Sequence, residues 1–165
     1  MKINIQNLKD GQYFFEFEKS SMELDFEDIE MFSSPVKVES NVDKRKKDVV
    51  VFSRAKTIAN YVCDRCLCQF SRPIDERFTV LFTTDQTYRD SDDNELVQLI
   101  SAHTREIDLS AGVRESVLLA VPMKHLCSEE CKGLCPTCGV NLNEESCGCV
   151  QTIDPRLADL KKLIS

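Results

Sequence analysis

Cys135-Pro136-Thr137-Cys138-Gly139 places two thiols two residues apart, and Cys147-Gly148-Cys149 brings another close pair nine positions after Cys138. A Cys-x-x-Cys turn can grip one metal ion through both sulfurs, and the glycine behind it removes side-chain bulk where the backbone folds back. Cys135, Cys138, Cys147 and Cys149 can thus complete a tetrahedral thiolate site, with metal–sulfur distances of about 2.3 Å. Upstream, Cys63-Asp64-Arg65-Cys66 and Cys127-Ser128-Glu129-Glu130-Cys131 supply two further pairs. Cys63, Cys66, Cys127 and Cys131 would make a second site and leave Cys68 spare. A rival division joins Cys127, Cys131, Cys135 and Cys138 in one cluster. For Cys63 and Cys66 the bland alternative is a pair of unliganded thiols packed as small hydrophobes. A redox role for that pair lacks the βαβ setting such a motif needs. Four thiolates can also carry an iron–sulfur cluster. The knuckle spacing and the lack of any electron-transfer motif favour zinc, one or two Zn²⁺ per chain, in a structural role.

The rest of the chain offers catalysis little. It has two histidines, no GxGxxG and no phosphate-binding glycine loop. His125, two residues before Cys127, can substitute for a thiolate or simply face water. The run Asp90-Ser91-Asp92-Asp93-Asn94-Glu95 admits a magnesium-dependent nuclease built on Asp90, Asp92, Asp93 and Glu95, against the plainer reading of a solvated loop. We expect no enzyme and no small-molecule substrate. Nine cysteines without a secretory start or an 18-residue apolar run imply reduced thiols, a cytoplasmic location and no membrane.

A formal charge of −7 argues against wholesale phosphate binding, but the charge is uneven. Residues 1–42 carry net −5, residues 43–77 net +4 and residues 85–115 net −5. The basic middle contains Lys44, Arg45, Lys46 and Lys47, extended by Arg65 and Arg72 and by Arg54, Lys56 and Arg77. These are the candidate RNA-contacting residues; a merely soluble hairpin tip is the alternative. Stacking of bases on Phe52, Tyr61 or Phe70 competes with ordinary core packing of those rings.

Elements must position these groups. Tyr13 to Glu18 has the aromatic, partly alternating pattern of a strand. Met22 to Phe32 stays open between strand and short helix. Val36 to Glu39 alternates strictly, Asp43 to Asp48 reads as a hairpin tip, and Val49 to Phe52 returns. Thr57 to Val62 and Phe70 to Thr84 continue a meander, with a short strand at Leu96 to Ile100. Asp108 or Ser110 caps a helix that Pro122 stops near Val121, with Val113, Val117, Leu118 and Val121 on one face. Asp154-Pro155 opens a last helix with an apolar stripe at Leu157, Leu160, Leu163 and Ile164. The expected fold is α+β. An antiparallel sheet of about five or six strands, flat or curled into a partial barrel, packs with one helix over residues 1–122, and a zinc module with the last helix follows over 123–165.

Taken together, Cys63-x-x-Cys66, Cys127-x₃-Cys131-Lys132-Gly133-Leu134-Cys135-Pro136-x-Cys138-Gly139-x-Asn141-Leu142-Asn143 and Cys147-x-Cys149 resemble the YceD family of bacterial and plastid proteins, described as large-subunit ribosomal RNA accumulation proteins. The resemblance runs from the first strands to Asp154-Pro155-Arg156. It implies a non-catalytic ribosome-biogenesis factor that supports 23S ribosomal RNA processing or accumulation. Its partner would be large-subunit RNA or a pre-ribosomal particle, met directly or through a protein. Some members keep the early Cys-x-x-Cys without the full later cluster, which implies pairing Cys63 and Cys66 with Cys127 and Cys131. The alternative function is a zinc-bearing protein–protein adaptor without RNA contact.

Overall fold

The computed structural model describes residues 1–87 and 97–149. The described residues divide into two units: Met1–Tyr61 with the described part of Ser71–Met123, and a second formed by 62–70 with 124–149. The segment 62–70 thus groups with the cysteine-rich part, although it lies within the stretch that a linear division at 122 assigns to the sheet.

The first unit is mostly sheet, with one α-helix among the described residues. Its strands are β1 (Lys2–Asn4), β2 (Gly11–Lys19), β3 (Val36–Arg45), β4 (Asp48–Val62), β5 (Gln69–Thr83), β6 (Val97–Leu99) and β7 (Glu106–Asp108). Strands β2 to β6 lie in sequence order in a five-stranded sheet, and β1 pairs with β7 in a separate ribbon. The large sheet is open, with β2 and β6 at its edges, so the barrel alternative is not adopted. It is also mixed: β2–β3 and β3–β4 run antiparallel, whereas β5 and β6 run parallel, Leu81 opposite Val97. The antiparallel meander expected throughout fails there because about a dozen residues join β5 to β6, long enough for a crossover.

The β3–β4 hairpin is tighter than the sequence implies. Arg45 pairs with Asp48, leaving Lys46 and Lys47 as the turn. Lys46 sits at φ 44°, a left-handed conformation costly for a side chain with a Cβ. Its backbone N–H donates to Asp10 Oδ1 at 2.9 Å, which holds the turn. Strand β4 is continuous where two strands with a gap were expected. The inward positions Ser53, Ala55, Thr57 and Ala59 are buried, so the period-two alternation persists with residues too small to advertise it.

Val36, Val38, Val42, Val49 and Val51 line the buried face. Val113 and Val117 of α1 (Ser110–Leu119) are both fully buried. Leu118 and Leu119 are exposed, so the helix presents a narrower apolar stripe than the sequence pattern promised and ends before Val121. At its start, Asp108 Oδ1 accepts the Ser110 N–H at 2.9 Å. A 3₁₀ turn at Met22–Leu24 resolves the ambiguous early segment, and Phe26 and Phe32 stack behind it with centroids 4.3 Å apart.

Ser40 and Ser53 face one another across β3 and β4, both buried, with their hydroxyls 2.8 Å apart. Removing one hydroxyl strands the other in an apolar layer. Ser53→Ala should lower unfolding free energy by about 1–3 kcal/mol, and adding Ser40→Ala should recover most of it. Urea denaturation of both single variants and the double variant checks this; additive losses would show that the pair is not coupled. The expected last helix, Asp154 to Ile164, lies outside the described residues.

Candidate metal centres

Among the described residues the second unit is built mostly from turns, and its hydrogen bonds explain how so little chain presents so many sulfurs. In the first knuckle, Leu67 N–H donates to Cys63 O and Cys63 N–H to Cys68 O, each at 2.9 Å. Leu67 takes a left-handed φ of 59° to close the turn. Asp64 then binds the later segment twice: its N–H reaches His125 O, and its Oδ2 accepts the His125 N–H, both at 2.7 Å. Arg65 Nη1 donates to Cys131 O at 2.9 Å, and Arg65 O accepts the Leu134 N–H at 3.1 Å. In the second knuckle, Cys135 N–H donates to Val140 O at 2.8 Å and Gly139 N–H to Cys135 O at 2.9 Å.

Eight thiols converge as two groups of four: Cys63, Cys66, Cys127 and Cys131, and separately Cys135, Cys138, Cys147 and Cys149. Within each group all sulfurs lie within 4.8 Å of one another. The rival cluster of Cys127, Cys131, Cys135 and Cys138 is not how they gather. Cys63 and Cys131 sulfurs are 3.8 Å apart and Cys66 and Cys127 sulfurs 3.6 Å. A tetrahedron with metal–sulfur bonds of about 2.3 Å has sulfur–sulfur edges of about 3.8 Å, so both groups suit a tetrahedral ion. His125 belongs to neither group.

The surroundings favour ionised sulfur at selected positions. Burial pushes the Cys63 thiol up, but backbone N–H groups of Cys127, Cys66 and Arg65 outweigh it and bring it down to about 6. Backbone N–H groups of Cys138 and Thr137 draw Cys135 down to about 6. Their neighbours move the other way. Burial lifts Cys127 to about 11, and the Cys138 sulfur beside Cys149 lifts it to about 12. In the first group Cys63 and Cys131 are lowered while Cys66 and Cys127 are raised, and in the second Cys135 is lowered while Cys147 and Cys149 are raised, so each group ionises in part and resists further ionisation through burial and the neighbouring sulfurs. A divalent cation removes that resistance.

Two supporting side chains, Asp64 and Asn143, had no assigned role in the sequence, and a third, Arg65, had a different one. Asp64 and Arg65 brace the first knuckle from behind; Arg65, counted there as RNA-contacting, spends its guanidinium on backbone carbonyls. Asn143 donates through Nδ2 to Cys131 Sγ at 3.4 Å and accepts the Lys132 N–H at 2.8 Å, so the Asn141-Leu142-Asn143 stretch serves the other cysteine group. The only signal for it was its place in the cysteine motif. Cys68, the spare thiol, lies 3.2 Å from Cys66 Sγ.

The remaining candidates are scattered. Lys44, Arg45, Lys46 and Lys47 share the β3–β4 hairpin end, but Arg45 is turned onto Asp43 at 2.7 Å. Arg72 lies exposed on β5. Phe52 is exposed, Tyr61 buried and Phe70 half-buried. The acidic residues Asp90, Asp92, Asp93 and Glu95 lie outside the described residues. No helix among the described residues is long and apolar enough to cross a membrane.

Comparison with known proteins finds relatives over most of the chain. A Zea mays chloroplast protein, "Large ribosomal RNA subunit accumulation protein YCED homolog 1", is 28% identical over 153 residues, covering 74% of this chain and 52% of its own length. Its Arabidopsis thaliana counterpart is 26% identical over 141 residues, 70% of this chain and 44% of the relative. The Bacillus subtilis protein YlbN is 32% identical over 135 residues, 79% of this chain and 75% of the relative. This chain thus spans about half the length of the plant relatives. No solved structure matches it. The family model described as "Large ribosomal RNA subunit accumulation protein YceD" matches residues 51–164, a span that contains all eight grouped cysteines, and the chain belongs to the YceD family.

Proposed function

We propose that this protein is a non-catalytic factor that supports processing or accumulation of 23S ribosomal RNA, and with it the large ribosomal subunit, in the reducing setting of the cytoplasm. The observation that carries this reading is the family match over residues 51–164. The plant relatives' names point the same way.

Zinc is the ion whose chemistry the donor sets suit. Cys63, Cys66, Cys127 and Cys131 would hold one ion and Cys135, Cys138, Cys147 and Cys149 a second; each would neutralise its thiolates and fix the turns that carry them. Four thiolates fill a tetrahedral shell and leave no position for an activated water, which supports a structural role over a hydrolytic one. The chain's own part is to aim the sulfurs: Asp64, Arg65 and Asn143 lock the two segments that bear the first group.

The test is sedimentation of extracts containing tagged protein. It should migrate with large-subunit precursors, and its depletion should lower 23S relative to 16S ribosomal RNA. Protein that stays wholly at the top of the gradient, with an unchanged RNA ratio on depletion, would contradict the proposal.

A further inference from the structure

Several segments of the first unit meet at the β3–β4 turn. Thr84 N–H donates to Lys47 O at 3.3 Å, Ile100 N–H to Thr83 O at 2.9 Å, and Ile5 N–H to Arg105 O at 2.9 Å. Between them lies a cleft of about 460 Å³. Its walls include four cationic side chains, Lys44, Lys46, Lys47 and Arg105, together with His103, and among the described residues no Asp or Glu. Acidic residues outnumber basic ones 28 to 21 in this chain, so a wall of cations without a carboxylate departs from what composition alone supplies.

Among the described residues the cations have no carboxylate partners at close range. Lys44 Nζ donates to the carbonyls of Ile5 and Leu8, which are uncharged. That fixes the ammonium at the cleft through neutral acceptors and keeps a third N–H for a ligand. Among the described residues no carboxylate lies within ion-pair distance of Lys44, Lys46, Lys47 or Arg105. Four acids close to the turn in sequence or by hydrogen bond direct their side chains to other partners, Asp48 to the Thr83 hydroxyl among them. Asp10 Oδ1 accepts the Lys46 backbone N–H, and Asp43 holds Arg45. Asp85 feels the charge of Lys47 but bonds to the Thr87 N–H and hydroxyl. The hydroxyls of Ser101 and Thr104, also in the wall, add neutral hydrogen-bonding groups.

A fixed ammonium, a planar guanidinium and two exposed lysines suit a phosphate with one charge and several acceptor oxygens. The volume is in the range that holds a nucleotide-sized group. We propose that this cleft binds the phosphodiester backbone of RNA and is where the protein touches large-subunit RNA directly. The proposal rests on the reading of the chain as a large-subunit RNA factor. Arg105 and His103 belong to it although they lie outside the basic middle of the sequence; Arg45, Arg65 and Arg72 do not line the cleft.

The experiment uses full-length, metal-loaded protein and labelled transcripts of large-subunit RNA, titrated across a potassium chloride series. A variant with Lys46→Gln, Lys47→Gln and Arg105→Gln is compared with wild type and with Arg45→Gln. Circular dichroism and metal content serve as fold controls. Wild type should lose log affinity linearly with log salt. The triple variant should bind about tenfold or more weakly at low salt, with a slope shallower by about 2, whereas Arg45→Gln should change neither. Inorganic phosphate and adenosine monophosphate, each titrated alone, should bind far more weakly than RNA. RNA binding that the folded triple variant retains in full overturns the cleft and leaves the functional reading standing. Co-sedimentation with large-subunit precursors but no RNA binding by wild type also overturns it, in favour of contact through a protein. Tight binding of free phosphate without RNA overturns it in favour of a small-anion site. Absence of both RNA binding and co-sedimentation removes the functional reading and the cleft together.

Discussion

Cys63→Ser should reduce the zinc content of natively purified protein from two atoms per chain to one, and Cys135→Ser should do the same at the other group. A structural zinc ion contributes about 10–16 kcal/mol of apparent binding free energy in small peptides, far beyond what a turn-rich segment gains from its few apolar contacts. The effect should therefore be close to all-or-none locally. In Cys63→Ser, amide hydrogen exchange should become fast over 63–70 and 124–131, and β3 and the part of β4 up to Tyr61 should keep their protection, because their core is the valine layer of the first unit. In Cys135→Ser the loss should centre on 135–149. Strong chelation of wild type should release both ions and reproduce both patterns. Elemental analysis decides the matter: two zinc atoms retained in either variant would show that the assigned thiols are not ligands, and iron in place of zinc would change the metal.

Gly133→Ala should destabilise the second unit by about 2–4 kcal/mol, and Gly139→Ala by about 1 kcal/mol. Both glycines have φ of 76°, where a side chain is strained. They differ in surroundings. A Cβ on Gly133 would stand 3.1 Å from Arg65 O, the acceptor of the Leu134 N–H, whereas one on Gly139 meets nothing within 4 Å. The first substitution thus adds a push against the backbone that links the first knuckle to Leu134, and it should also weaken metal retention at Cys63, Cys66, Cys127 and Cys131. Competition with a graded zinc chelator reads this directly. Equal effects of the two substitutions would mean that backbone conformation alone matters and that the Arg65 carbonyl yields.

The sequence disclosed chemistry more readily than shape. Thiol spacing carried the cysteine constellation because the grip of a knuckle is local: Cys135, Cys138, Cys147 and Cys149 come together within one short stretch. Strands with large alternating residues, such as Val36 to Val42, were legible for the same reason. The stretch Ser53 to Ala59 was not, because small inward residues hide the period. Strands β1 and β7 were missed because each is three residues long and finds its partner about a hundred residues away, Ile3 opposite Ile107. The basic cleft was half visible. The lysines at the hairpin turn stood out as a run, but Arg105 and His103 reach the same wall only through tertiary packing.

The two cysteine groups differ in how much chain each must gather. From Cys138 to Cys147 is nine positions, whereas Cys66 and Cys127 are separated by 61. Ring-closure entropy grows only logarithmically, so the wider span costs about 2 kcal/mol more at equilibrium, a small handicap beside the strength of zinc–thiolate binding. On the ribosome that makes this chain, the difference is one of timing. Cys63 and Cys66 emerge long before their partners and wait as bare nucleophiles, whereas the compact quartet can capture its ion almost as soon as Cys149 is synthesised. Metal scarcity during translation would therefore leave the early pair the more exposed to oxidation, and half-loaded molecules would carry their ion at the carboxy-terminal quartet.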